Sequence, residues 1–393
     1  SSWKMGRYSC ALVAVGLTAV VGAFAPAGGR ACHSSRRANS RTVIAPVMSV
    51  EPGESCTGEQ VAVVGATGYI GKAVVRDLVR RGYPTNAIVR DAQAAAAEPK
   101  FKGANIVQAD VCDPATLARS PAFTKGSVDV VISCLASRSG SKSDSFAIDY
   151  QATLNCLNAA REAGARHFVM LSAFCVKSAE RKDPYALQFQ YAKKDMEEAL
   201  RAQSDMSYSI IRPTAFFKSV SGQVEVVAGG GPFVYFDLGD GKCATCNPIS
   251  EPDLAAALVD TIAEESKKNM VWNLGGPDDG MSMKQQGELV ADVLEKEEAK
   301  LFAVPIGIFD TIINGLQFLA DTFKSEKLED AAEFGRIGRY YAIEDMLTTD
   351  PSEKYGRTTL REHYERIAVE GQEYDPYTSV FGGKQTKDSF KGV

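Results

Sequence analysis

The sequence predicts an α/β protein built on a doubly wound parallel sheet, with a smaller C-terminal region after it. Three observations carry that expectation. A short β-branched run, VAVV at 61–64, leads directly into GATGYIG at Gly65–Gly71. Five more short apolar runs alternate with amphipathic stretches up to residue 213, the pattern of parallel strands joined by crossover helices. The composition, 45% hydrophobic and 24% charged, is that of a globular chain and excludes disorder.

The glycine run sits between the first strand and a helical stretch, KAVVRDLVRRG. Gly65 permits a tight exit from the strand, Gly68 lets the backbone approach a pyrophosphate, and Gly71 permits close helix–strand packing. Thr67, Tyr69 and Ile70 lie in the same turn, where N–H groups at a helix N-terminus bind phosphate. The surrounding strand, helix and second strand make this glycine pattern a dinucleotide site. The second strand ends Ala87-Ile88-Val89-Arg90, with Arg90 19 residues after Gly71. An acid there binds the ribose hydroxyls of NAD, whereas an arginine accommodates a 2′-phosphate. The cofactor expected is NADPH, although Asp91 follows directly and keeps NADH open.

Residues 106–111 read as the third strand, with Asp110 and Val111 near the adenine. The fourth strand is expected at 128–135, a helix at 151–163, the fifth strand at 166–172 and the sixth at 208–212, ended by Pro213. Ligands bind at the C-terminal ends of such strands. Leu135, Ala136, Ser172, Pro213 and Thr214 are therefore expected around the nicotinamide.

The first 50 residues hold six basic residues and no acid; the first acid is Glu51. Of 44 basic residues 38 remain from there on, against 49 acidic, a net charge of −11. A break of this kind marks a processed leader. Lys4 and Arg7 precede a 16-residue apolar run, Cys10–Ala25, too short to span a bilayer comfortably and suited to a signal peptide over 1–23. An Arg- and Ser-rich, acid-free segment over 24–57 then reads as a transit peptide and linker. The VGAFAP junction, with Phe24 after the cleavage site, resembles the bipartite leader of algae with red-lineage secondary plastids, which implies import into a plastid. A signal anchor on a secreted protein is the alternative. The remaining organisation is expected to be a nucleotide-binding domain over 58–215, a substrate-binding region over 216–370 and a tail over 371–393.

The acidic balance argues against a nucleic-acid partner. Three histidines and a lone CxxC at Cys243–Cys246 cannot build a four-cysteine site, so no metal is expected and these cysteines read as ordinary thiols. Residues 302–323 are strongly apolar and lack a basic face, which favours a core-packed helix over a membrane-surface one. Peripheral contact with a plastid membrane remains the alternative there, and the oligomeric state is open. Phe216, Phe217 and Lys218 follow the sixth strand at the expected mouth of the site, where aromatic walls and a cation suit a flat, acidic ligand. Arg138, after the fourth strand, is a second cation for a carboxylate or phosphate.

By its glycine turn and its alternation of strands and helices the chain resembles the atypical short-chain dehydrogenase/reductases, of the NmrA and isoflavone-reductase type. That superfamily pairs a tyrosine with a lysine four residues on. Here Phe189 stands four before Lys193, and Tyr191 is only two before it, so the two do not share a helix face. This disfavours carbonyl reduction. Six longer blocks are more specific: SCLASRSGSKSDSFAIDYQAT (133–153), LQFQYAKKDMEEAL (187–200), YSIIRPTAFFKSVSGQVE (208–225), GDGKCATCNPISEPDLA (239–255), NLGGP (273–277) and EFGRIGRYYAIEDML (333–347). Together they resemble the divinyl chlorophyllide 8-vinyl reductases of plants and algae. The resemblance implies NADPH-dependent reduction of the 8-vinyl group of a magnesium tetrapyrrole to ethyl in plastid chlorophyll biosynthesis. It implies that Lys193 holds the nicotinamide ribose and stabilises developing negative charge, with Ser172 near the ring and the proton donor open between Tyr191 and a water. A solvated lysine beside Lys194 is the alternative for Lys193. Another C=C or quinone reductase, or a non-catalytic NADPH-sensing or photosystem-assembly protein, is the alternative for the chain.

Overall fold

The structure is a computed structural model that describes residues 58–372. The leader expected at 1–57 lies outside the described residues, as does the tail from 373.

Seven parallel strands form the central sheet: β1 (Val61–Val64), β2 (Thr85–Val89), β3 (Asn105–Gln108), β4 (Val130–Ser133), β5 (His167–Leu171), β6 (Ser207–Pro213) and β9 (Met270–Leu274), in the order β3-β2-β1-β4-β5-β6-β9. Val63 pairs with Ala87 on one side and Ile132 on the other. Because side chains alternate across a strand, β1 feeds two cores. Val61 and Val63 pack with α1 (Tyr69–Arg80) and α4 (Glu251–Asp260). Ala62 and Val64 pack with α2 (Thr153–Ala163) and α3 (Gln188–Ala202). A sheet covered on both faces has to be apolar throughout, and β1, β4 and β5 are fully buried.

The nucleotide-binding unit extends beyond the boundary expected at residue 215. Its seventh strand, β9, and the helix α4 that packs beside α1 come from later in the chain. Met270–Leu274 mixes half-buried and buried positions, which gives it neither clean alternation nor a continuous apolar run. The third strand ends at Gln108 rather than at 111. Asp110 stops it: its Oδ1 accepts the Cys112 N–H at 3.0 Å, an Asx turn that competes with the strand ladder. The helix expected over 151–163 is preceded by a wide π-turn over Phe146–Ala152 before it becomes α2.

After the sheet, β7 (Phe233–Asp237) pairs in parallel with β11 (Leu301–Pro305), and β8 (Thr245–Cys246) pairs antiparallel with β10 (Met281–Ser282). A separate small core joins Phe217 and Phe233 to Val290 of α5 (Met283–Val293) and to Tyr364 of the last helix, α8 (Leu360–Glu370). The apolar run 302–323 is not one helix. It opens as β11, breaks at Pro305, and continues as α6 (Gly307–Phe323); an unbroken apolar run cannot separate the two by periodicity. Nor is α6 packed all round: Ile313 and Ala320 are buried, but Phe318 and Phe323 are more than two-thirds exposed. It forms a hairpin with α7 (Glu326–Ile343), tied by Arg339 to Asp310 at 2.6 Å. In turn α7 lies over the sheet's C-terminal edge. Glu333 accepts the Gln188 N–H at the start of α3 at 3.0 Å, and Tyr340 bonds Ser178 at 2.8 Å.

Candidate active site

The strand order reverses between β1 and β4, the position at which open parallel sheets bind nucleotides. Gly65 lies there with φ +73°, and a Cβ on it would come within 2.7 Å of the Cys134 carbonyl. A Cβ on Gly71 would meet the Gly65 oxygen at 2.1 Å. Both glycines are thus demanded by the fold, which brings α1 against the end of β1. Gly68 is the N-cap of α1, no side chain caps it, and the first turn carries no acid. The helices α4, α5 and α8 are capped, by Ser250, Ser282 and Thr359, whereas α2, α6 and α7, like α1, carry no side-chain cap. An uncapped N-terminus with the exposed backbone of Thr67 and Gly68 before it fits a pyrophosphate, whose charge takes the place of the cap. Tyr69 is half-buried and Ile70 buried, in the core under the turn.

At the adenosine end a cleft of about 410 Å³ opens beyond β2 and β3, lined by Arg90, Gln108, Asp110 and Arg119 among others. Val111 is buried in the core, its carbonyl accepting from Asn155 at 3.1 Å.

At the other end Lys193 is 6% exposed. Its Nζ lies 3.0 Å from Oδ1 of Asp149, which is 1% exposed, and 3.4 Å from the Leu171 carbonyl. The solvated reading therefore belongs to Lys194 alone, which is paired with Glu198 at 2.7 Å. Asp149 sits in the π-turn, and its other oxygen accepts the Ser137 N–H at 3.1 Å. One carboxylate thus fixes both the lysine and the loop after β4 that carries Leu135, Ala136 and Arg138. Asp144 fixes the rest of that loop, accepting the N–H groups of Arg138 and Ser139 at 2.8 and 2.9 Å. Tyr191 is half-buried on α3, about 200° round the helix from Lys193.

Two expected site residues have their side chains engaged elsewhere. The Ser172 hydroxyl donates to Glu197, a fully buried residue of α3. Glu197 also holds Arg212 of β6 at 2.5 Å, which reaches Glu180 at 2.5 Å. Ser172 is spent on this network, because a buried carboxylate beside it takes its proton first. Phe217 is core, fully buried with its ring 4.9 Å from that of His363. The preceding Phe216 is extended, so the two side chains point to opposite sides. Phe216 instead stands beside Tyr69, ring centres 6.4 Å apart, with Lys218 Nζ 4.8 Å from the Tyr69 ring. Tyr69 in turn donates to Glu251 at 2.8 Å. Phe216, Lys218 and Tyr69 thereby meet next to the glycine turn. Thr214 is buried and its hydroxyl donates to the Asn247 carbonyl at 2.7 Å; the Pro213 carbonyl accepts from Phe174 at 2.9 Å. These two shape the end of β6 through the backbone. The CxxC pair carries no activated thiol: burial pushes Cys246 up to about 11 and raises Cys243 as well.

Asp149, Glu197, Arg212 and Asp144 were not among the expected site residues. Asp149 left a faint signal, as the acid inside FAIDYQATLNCL, a segment otherwise free of charge.

A doubly wound sheet, a glycine turn against an uncapped helix and an inward lysine on α3 define a nucleotide-dependent enzyme of the short-chain dehydrogenase/reductase class. Residues 65–265 match the NAD(P)H-binding family. Two solved structures share the fold: the NADP(H) complex of Citrobacter triphenylmethane reductase (TM-score 0.58, 22% identity, 79% of this chain, 100% of that one) and the NADPH complex of an Escherichia coli quinone oxidoreductase (0.57, 21%, 79% and 100%). The chloroplastic divinyl chlorophyllide a 8-vinyl-reductase of Cucumis sativus is 45% identical over 331 residues, 79% of this chain and 76% of the relative. The chain belongs to the divinyl chlorophyllide a 8-vinyl-reductase family.

Proposed function

We propose that this protein is a plastid enzyme that reduces the 8-vinyl group of a divinyl chlorophyllide to ethyl with NADPH. The observation that carries the reading is 45% identity to a reductase of that name over most of both chains. The geometry is consistent with it. A bound nicotinamide supplies the hydride; the protein's residues hold, orient and neutralise.

The first turn of α1 holds the pyrophosphate. Asp149 clamps Lys193 at the end of β5, where its ammonium would hold the nicotinamide ribose and offset negative charge on the reacting substrate. The vinyl group gains a hydride on one carbon from the nicotinamide and, on the other, a proton delivered by Tyr191 or by a bound water. Phe216 supplies an apolar wall, with Lys218 and Arg138 as cations for the pigment's carboxylate. The exposed apolar residues of α6, Phe318, Leu319 and Phe323, support peripheral contact with a plastid membrane, which co-flotation with vesicles of plastid lipids tests.

The deciding experiment incubates the purified protein with NADPH and divinyl chlorophyllide and resolves the pigments by chromatography. Formation of the 8-ethyl product without added metal or flavin is expected. Tight NADPH binding with no turnover on any 8-vinyl pigment would overturn the reading in favour of a sensing or assembly role.

A further inference from the structure

The adenosine-end cleft contains two guanidinium groups, and a lone 2′-phosphate ligand at Arg90 accounts for only one of them. Arg90 directly follows β2. Arg119 directly follows a short helix, Pro114–Ala118, that comes after β3. Both are exposed and both line the same cleft. No ion pair joins either to a carboxylate among the described residues, whereas Arg81, Arg161, Arg212 and Arg339 are all ion-paired. The one acid in the cleft, Asp110, turns Oδ1 back to the Cys112 N–H.

The Arg119 backbone is held in place. Asp113 caps the short helix, Ser120 caps the turn after it, and Leu117 is buried. The Thr116 hydroxyl donates to the Asp110 carbonyl at 2.7 Å. Arg119 therefore leaves a well-held loop next to the end of β3 and lines the same cleft as Arg90. Two like charges sharing one cleft repel unless an anion lies between them. A phosphate monoester carries close to two negative charges at neutral pH, and a guanidinium presents a planar fork that matches it.

We propose that Arg119 is a second arm of the 2′-phosphate site and, with Arg90, sets the preference for NADPH over NADH. The proposal rests on the NADPH reading above. It adds a residue that no glycine or strand-end motif points to.

The test titrates the purified full-length protein, its Arg119→Ala, Arg119→Lys and Arg90→Ala variants, and the double alanine variant with NADPH, NADH and adenosine 2′,5′-bisphosphate. Binding is read by fluorescence or calorimetry, and thermal melting confirms folding. Arg119→Ala should weaken NADPH and the bisphosphate about tenfold and leave NADH within twofold. Arg119→Lys should recover part of the loss. The double variant should bind NADPH and NADH about equally, and its NADPH affinity should fall less steeply with salt. If Arg119→Ala weakens NADPH and NADH alike, Arg119 serves the adenine or the loop and the proposal is wrong. If it changes neither while Arg90→Ala abolishes discrimination, Arg90 acts alone and the proposal is equally wrong. A wild-type protein that binds NADH as tightly as NADPH removes the NADPH reading itself, and the proposal with it.

Discussion

Lys193 and Asp149 form an ion pair of 3.0 Å, 7% and 1% exposed at their side chains, at the end of β5. Their positions in the chain are 44 residues apart, on α3 and on the π-turn before α2. A π-turn widens the helix by one residue and is common at functional sites; here it presents Asp149 between the lysine and the loop after β4.

Removing either partner has separable effects. Lys193→Ala should cut turnover by about 10²–10³ if the ammonium stabilises transition-state charge. Asp149→Ala leaves a buried ammonium without its partner and should cost about 3–5 kcal/mol of stability. Asp149→Asn keeps the shape and should lower kcat with a smaller loss of stability. Near wild-type turnover for Lys193→Ala would show that the reacting group is held elsewhere.

Ser172 gives a contrasting prediction. Its hydroxyl serves Glu197, which also holds Arg212. Ser172→Ala should cost about 1–3 kcal/mol, because a buried carboxylate loses a donor, yet turnover should stay within about threefold. Arg212→Met should destabilise more, by about 3–5 kcal/mol, through the unpaired Glu197. Thermal melting and steady-state rates on the same samples separate the two effects. A folded Ser172→Ala protein without activity would return Ser172 to the reaction.

Phe216 and Phe217 should part in the same way. Phe217→Ala empties the core around Tyr364 and His363 and should cost about 3–5 kcal/mol. Phe216→Ala should fold nearly as well as wild type and raise KM for the pigment while leaving NADPH binding largely intact. Equal destabilisation by both would place Phe216 in the core too.

These contrasts show what the sequence made legible. Six strands of the sheet, the glycine turn and the lysine on α3 were readable because each depends on local pattern: β-branched runs, a spacing of glycines, one side chain on one helix. β9 was not, because Met270–Leu274 pairs only with β6 and its half-buried positions blur the alternation. Phe217 was misplaced because adjacent aromatics give no sign of which one faces inward. The bond from the Ser172 hydroxyl was not legible because its partner, Glu197, lies 25 residues away on a helix. Side-chain networks of this range depend on tertiary packing, which leaves no period in the sequence.

The last prediction follows from two buried histidines. Burial, aided by the Lys268 charge, depresses His167 to about 4. Burial, aided by Arg366, does the same to His363. Burial disfavours the charged ring at both positions. His167 Nε2 lies 3.2 Å from the Ser209 hydroxyl and Nδ1 2.9 Å from the Ser207 hydroxyl. Arg366 can only donate, so His363 Nδ1 accepts, at 3.2 Å, and Nε2 is left to donate to Ser221 at 2.8 Å. An unfolded histidine titrates near ~6.5. Between there and about 4 the unfolded chain binds protons that the folded chain does not, so stability is full above ~6.5 and falls with falling pH through that window. The loss should reach about 2 kcal/mol per histidine by pH ~5. Denaturant melts at pH 7, 6 and 5 measure the slope. His167→Asn should be less stable at pH 7 but lose less on going to pH 5, by about one histidine's share. If wild type and variant lose stability in parallel, His167 is already protonated in the folded protein and its buried, neutral assignment is wrong.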